Sequence, residues 1–144
     1  MAIEVRLETN VRSLTTLWVK KIVAKTLVSE KKKGDSVSVL LTDNRRIRRI
    51  NKRYLGHDSA TDVISFWLDR RTLTSREAGY LGDIVVSAQM ARSMSRKLEI
   101  PFAEELARYL VHGTLHLLGY QDQGKKDRIE MKKRQELILK KFFS

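Results

Sequence analysis

The chain opens on an alternating stretch, with Ile3, Val5 and Leu7 apolar and Glu4 and Arg6 charged between them. A period of two belongs to a half-buried strand, so Ile3 to Leu7 is predicted as one. The period then lengthens within Val11 to Ser29, where Leu14, Leu17, Trp18, Ile22 and Leu27 are the expected core stripe of a helix. Lys31 to Asp35 is a polar break, and Ser36 to Leu41, β-branched and apolar, is a second strand. Thr42-Asp43-Asn44 offers a cap for a helix from about Arg45 to Tyr54, with Ile47 and Ile50 inward. Leu55 to Asp62 reads as loop, and Val63 to Trp67 as a third strand. Asp69 to Tyr80 is polar and is expected as a loop or hairpin connection before a fourth strand, Leu81 to Val86. Ser87 caps a helix through Leu98, Glu99 to Pro101 breaks it, and a further helix follows. Lys125 to Phe143 closes the chain as a charged amphipathic helix, with Ile129, Leu137 and Phe143 the candidates for its buried stripe. The order β-α-β-α-β-β-α-α-α gives an α+β class: one domain over residues 1–144, a four-stranded mixed sheet packed with about five helices. Strand order stays open.

The helix after the break carries the chemistry. Pro101 and the acidic Glu104 and Glu105 suit a helix start, where the backbone dipole favours negative charge. His112 and His116 lie four residues apart, so both imidazoles leave one face a turn from each other. Gly119 stands where helices commonly end, and the turn would bring Asp122 back beneath the pair. His, His at the fourth position on, Gly at the seventh and a ligand at the tenth is the spacing of metzincin-type zinc sites. The peptidase version needs Glu directly after the first His as general base, and here that residue is Gly113. A divalent metal, most simply Zn2+, one per chain, is therefore expected on His112, His116 and Asp122, without the base that cuts peptides.

Charge adds a partner. Twenty-nine Lys and Arg against 17 Asp and Glu leave a net charge of +12. Such a field attracts polyanions, of which nucleic acids are the commonest. It is densest on the second helix, with Arg45, Arg46, Arg48, Arg49, Lys52 and Arg53, so Arg46, Arg49 and Arg53 are the expected nucleic-acid contacts. With no cysteine, the chain has neither disulfides nor thiolate metal ligands. No segment could span a bilayer, and a cytoplasmic location is the default expectation.

Three stretches together resemble the YbeY family of metal-dependent endoribonucleases. They are Asn51-Lys-Arg-Tyr-Leu-Gly-His-Asp58-Ser-Ala-Thr61-Asp62-Val-Ile-Ser-Phe66, Leu81-Gly82-Asp83-Ile84 and His112-Gly-Thr-Leu-His116-Leu-Leu-Gly119-Tyr120. The resemblance implies a small cytoplasmic α+β fold with zinc on the histidine helix, acting on ribosomal RNA in its maturation and in ribosome quality control. Two positions depart from the family pattern. The third ligand, usually His, is replaced by Asp122, whose negative charge would weaken the metal as a Lewis acid and favour harder ions. An Arg that some members carry after the Tyr of the first stretch is Leu55, with Arg53 the nearby cation.

The expected chemistry is hydrolysis of an RNA phosphodiester, in which a metal acidifies water and polarises a phosphoryl oxygen. His57 and Asp62 are candidates for help from the loop, although Asp62 reads equally as a cap on the following strand, and Asp83 as a structural hydrogen-bonding residue. The other reading is a non-catalytic RNA- or ribosome-binding protein that keeps the fold with a weakened metal site.

Overall fold

Alternation decides the first element. In the computed structural model, which describes residues 2–11, 14–32, 36–67 and 79–143, Ile3, Val5 and Leu7 of β1 (Ile3–Leu7) are half-buried while Glu4 and Arg6 are exposed. The chain continues through α1 (Thr16–Ser29), β2 (Ser36–Thr42), α2 (Asn44–Leu55), β3 (Val63–Trp67), β4 (Tyr80–Ser87), α3 (Ala88–Leu98), α4 (Phe102–Leu117) and α5 (Lys125–Phe143). These are the α+β class and the element order predicted. The expected connection over Asp69–Tyr80 lies, up to residue 78, outside the described residues, as do residues 33–35 of the polar break.

Three caps form where side chains can act locally. Thr15 accepts from the Trp18 amide, Asp43 from the Arg46 amide, and Ser87 from the Met90 amide, each satisfying a backbone N–H that the helix leaves without a partner. The α1 stripe is a correction to the predicted one. Leu14 lies before the helix, and Leu17 is 72% exposed, because it sits roughly 140° around the axis from Ile22. Val19, Ile22, Val23, Thr26 and Leu27 make the buried face, and Trp18 packs against it half-buried.

The sheet order is β1-β2-β4-β3. β1, β2 and β4 run parallel, while β3 pairs antiparallel with β4 and forms an edge, with Val63 opposite Val86 and Trp67 opposite Gly82. One face of the sheet carries the main core, in which α4 touches α1, α3, α5, β3 and β4. Leu106, Leu110, Val111 and Leu115 of α4 are fully buried there. On the opposite face α2 lays Ile47 against Ile64 and Val85, a separate and smaller cluster.

The α5 stripe is the second correction. Met131, Gln135, Ile138 and Leu139 are its buried residues, while Ile129 is 60% exposed and Leu137 is exposed as well. Ile129 lies two residues before Met131, roughly 200° around the helix, so the two cannot share a face. Phe143 does pack against the core, half-buried. No helix of the described residues is long and apolar enough to cross a membrane.

Candidate metal centre

Position 113 shows how closely the histidine helix meets the sheet. A Cβ on Gly113 would lie 2.7 Å from Ile84 Cγ2 and 2.9 Å from Val63 Cγ2, both branch atoms held near their own backbone. The residue that interrupts a zinc-peptidase motif is thus the point where α4 presses on β3 and β4. Two β3 side chains secure the contact: Ser65 Oγ donates to the Gly113 carbonyl (2.8 Å) and Trp67 Nε1 donates to the Leu117 carbonyl (2.9 Å).

The helix stops as expected. The Gly119 amide donates to the His116 carbonyl and the Tyr120 amide to the Leu115 carbonyl, with Gly119 at φ 105°, a conformation strained for any residue with a side chain. This closure turns the Tyr120 carbonyl onto His116 Nδ1 at 2.9 Å. The neighbouring ring is held from another helix, since His112 Nδ1 lies 2.8 Å from Gln135 Oε1 on α5.

Both partners are oxygen acceptors, so each Nδ1 carries a proton, and in the neutral ring the lone pair is then on Nε2. That is the tautomer a metal-binding imidazole requires. Asp122 follows the turn, exposed, with Oδ2 4.0 Å from His112 Nε2. Two donors on one tetrahedral ion stand ~3.4 Å apart, given metal–ligand bonds of about 2.1 Å, so this pair needs only a small movement to share one. No three His, Cys, Asp or Glu side chains among the described residues are already gathered around a common point. The donor set of two neutral imidazoles and one carboxylate nevertheless fits a divalent ion in charge and chemistry.

Gln135 is the residue that sequence reasoning missed. It is 7% exposed, and its Nε2 donates to Glu136 Oε2 at 3.0 Å. Burial pushes the Glu136 carboxyl up, but its bonds to Arg108 outweigh that and hold it below the usual range. Arg108 also pairs with Glu105 and lies 3.5 Å from Glu104, and its guanidinium is pushed higher still. Arg108, Tyr109, His112 and Gln135 join Thr61, Asp62 and the methionines of α3 around a cleft of about 430 Å³.

The loop candidates take ordinary roles. Asp62 Oδ1 accepts from the Val63 amide (2.7 Å) and from Thr61 Oγ1 (3.3 Å), which caps the start of β3. His57 is exposed, and Asp83 accepts a hydrogen bond from the Tyr80 hydroxyl. Burial, then Asp83, push that phenol up to about 12. The structure sets Asp122 beside His112, with His116 one turn further along the same helix. It sets Arg46, Arg49 and Arg53 apart from them on α2, which packs on the sheet face opposite α4. Arg46 Nε lies 4.0 Å from Glu8, and Arg53 stands over the Tyr54 ring, 5.4 Å from its centroid.

Comparison with known proteins fits this architecture. The chain is 38% identical over 112 residues to endoribonuclease YbeY of Persephonella marina, covering 78% of this chain and 72% of that one. It is 39% identical over 132 residues to endoribonuclease YbeY of Exiguobacterium sibiricum, covering 86% and 84%. The solution structure of TM1509 from Thermotoga maritima superposes with a TM-score of 0.62 at 26% identity, over 95% of this chain and 86% of the other. The family model described as endoribonuclease YbeY matches residues 3–143, so the chain belongs to the YbeY endoribonuclease family.

Proposed function

We propose that this protein is a metal-dependent, single-strand-specific endoribonuclease that acts on ribosomal RNA during its maturation and in ribosome quality control, in the cytoplasm. The observation that carries the reading is the pair of imidazoles whose Nδ1 atoms are both tied to oxygen acceptors, on one helix face, with Asp122 beside His112. His112, His116 and Asp122 would hold one Zn2+, which when bound acidifies water and draws charge from a phosphoryl oxygen. The chain's own part is positional. Gln135 and the Tyr120 carbonyl fix the two rings, and Gly113 lets their helix lie close on β3 and β4. In the reaction a water oxygen bonds to phosphorus, the bond from phosphorus to one ribose oxygen breaks, and a proton passes to that oxygen. The arginines of α2 supply phosphate affinity through counterion release, which predicts a steep fall of affinity with salt.

Replacement of the usual third histidine by Asp122 favours one rival, a protein that binds RNA or the ribosome without cutting. Purified protein, stripped of metal and then reloaded with Zn2+, decides between them on single-stranded and duplex RNA of one sequence. Cleavage of the single strand that returns with Zn2+ and is lost in His112→Ala and His116→Ala supports the nuclease. Salt-sensitive binding with no cleavage by the loaded protein supports the rival. Arg46, Arg49 and Arg53 changed together to Gln should weaken binding and flatten its salt dependence.

A further inference from the structure

The histidine helix and the arginine helix lie on opposite faces of the sheet, and aromatic side chains join them around its edge. Trp67 ends β3, the edge strand, with its ring centroid 5.0 Å from that of His116 and tilted by 43°. Its indole N–H is spent on the Leu117 carbonyl, so the ring is fixed, yet 54% of the residue is exposed. Phe66, its neighbour in the strand, points to the other face, as alternation requires. There it meets the edge of Tyr54 at 5.8 Å, with 71° between the rings. Tyr54 is 62% exposed and carries Arg53 over its ring. From His116 outward the order is thus an open aromatic, a strand edge, a second open aromatic and a row of cations.

An exposed, immobilised tryptophan beside candidate metal ligands contributes little to the core, since most of its surface never leaves water. Fixed aromatic faces interleaved with arginines are what single-stranded nucleic acid requires, because unpaired bases stack while phosphates take the cations. A duplex buries its base faces in its own stack and cannot use such a platform. We propose that single-stranded RNA crosses the sheet at the β3 edge, with one unpaired base stacked on Trp67 beside His116 and another on Tyr54, and the phosphates drawn to α2. The path rests on the nuclease reading for its substrate class. It adds the route and the two stacking residues, and it makes the recognition of unpaired bases a property of the edge strand.

The test measures binding of a short single-stranded oligoribonucleotide and of an abasic chain with the same length and charge, by fluorescence anisotropy on zinc-loaded protein. Trp67→Leu and Tyr54→Leu keep apolar bulk but offer no ring, and each is expected to lose about tenfold in affinity for the base-bearing strand. Affinity for the abasic chain should stay at the wild-type level. Trp67→Phe, which retains a ring and loses the indole hydrogen bond, should stay within about threefold of wild type, and zinc content should be unchanged in all three variants. Wild-type affinity for both ligands in the two Leu variants overturns the path. Equal losses on both ligands, or loss of zinc from Trp67→Leu, also overturn it, since either marks a structural role. If wild-type protein discriminates base from abasic chain but cuts neither single strand nor duplex, the nuclease reading fails while the path stands. If it cuts while the Leu variants bind unchanged, the path fails alone.

Discussion

His112 Nδ1 and Gln135 Oε1 lie 2.8 Å apart, and the amide's orientation is dictated by its other end. Glu136 can only accept, so the Gln135 group facing it is the NH2, and the oxygen is left for His112. Arg108 in turn holds Glu136 in place. The sequence Arg108, Glu136, Gln135, His112 therefore sets which imidazole nitrogen carries the proton. Removing a partner of this kind from a metal-binding histidine costs about 10- to 100-fold in metal affinity. Gln135→Leu should show a loss of that order in a zinc competition titration. Gln135→Glu keeps an acceptor oxygen for His112 but sets a carboxylate against Glu136 in place of the donating NH2, so it should not restore wild-type zinc affinity. Equal affinity in the Leu variant would mean that Gln135 does not set the tautomer.

Asp122 answers to a three-way comparison. Its carboxylate stands 4.0 Å from His112 Nε2 on a turn fixed by Gly119, so a ligand at this position needs little rearrangement. Asp122→Ala should lose zinc and RNA cleavage together. Asp122→His, restoring three imidazoles, should keep zinc and make the ion a stronger Lewis acid, because one negative charge is gone. Metal content and cleavage measured under one buffer decide it, and equal zinc in all three proteins would remove Asp122 from the ligand set.

Features written in local side chains were legible before the fold was known. Asp43 and Ser87 announce their helices because each bonds an amide three residues on. The histidine face and the turn at Gly119 follow from spacing alone. The α5 stripe was not legible, since charged and apolar residues are mixed through that helix and packing against α4 selects the face. Read correctly, Met131, Ile138 and Leu139 would have made Gln135 stand out as the polar member of a buried stripe. Nor could local pattern place the arginines on the far face from the histidines. That depends on which face of the sheet each connecting helix takes, a non-local choice.

Gly113 yields a stability prediction. Alanine there would gain about 1 kcal/mol of helix propensity. Its methyl would fall within 3 Å of Ile84 and Val63, whose branched side chains cannot swing away, and overpacking of this kind costs about 1–3 kcal/mol. Gly113→Ala should therefore be destabilised by about 1 kcal/mol net in chemical denaturation. Gly113→Glu, the zinc-peptidase residue, should fail to fold as wild type does. Alanine that stabilises the protein would show that α4 can lift from the sheet.

Glu30 supplies a pH dependence. It follows the end of α1, accepts from Tyr120 Oη at 2.7 Å and from Arg134 Nε at 3.1 Å, and so ties α1 to α5 and to the turn after the histidines. Burial raises its pKa, but the bonds from Arg134 and Tyr120 outweigh that and leave it below the ordinary value of 4.5. A carboxyl with a lowered folded pKa contributes stability above its unfolded value, and that contribution disappears as pH falls through the folded one. Glu30→Gln should thus be less stable than wild type by about 1–2 kcal/mol near pH 7, the scale of hydrogen bonds to a charged group reduced for partial exposure. The gap should close as acid protonates wild-type Glu30, so the two denaturation curves converge below the ordinary carboxylate range. Tyr120→Phe, which removes one donor, should show a smaller gap that closes over the same interval. A Gln variant whose deficit persists unchanged into acid would show that shape, not charge, is what Glu30 contributes.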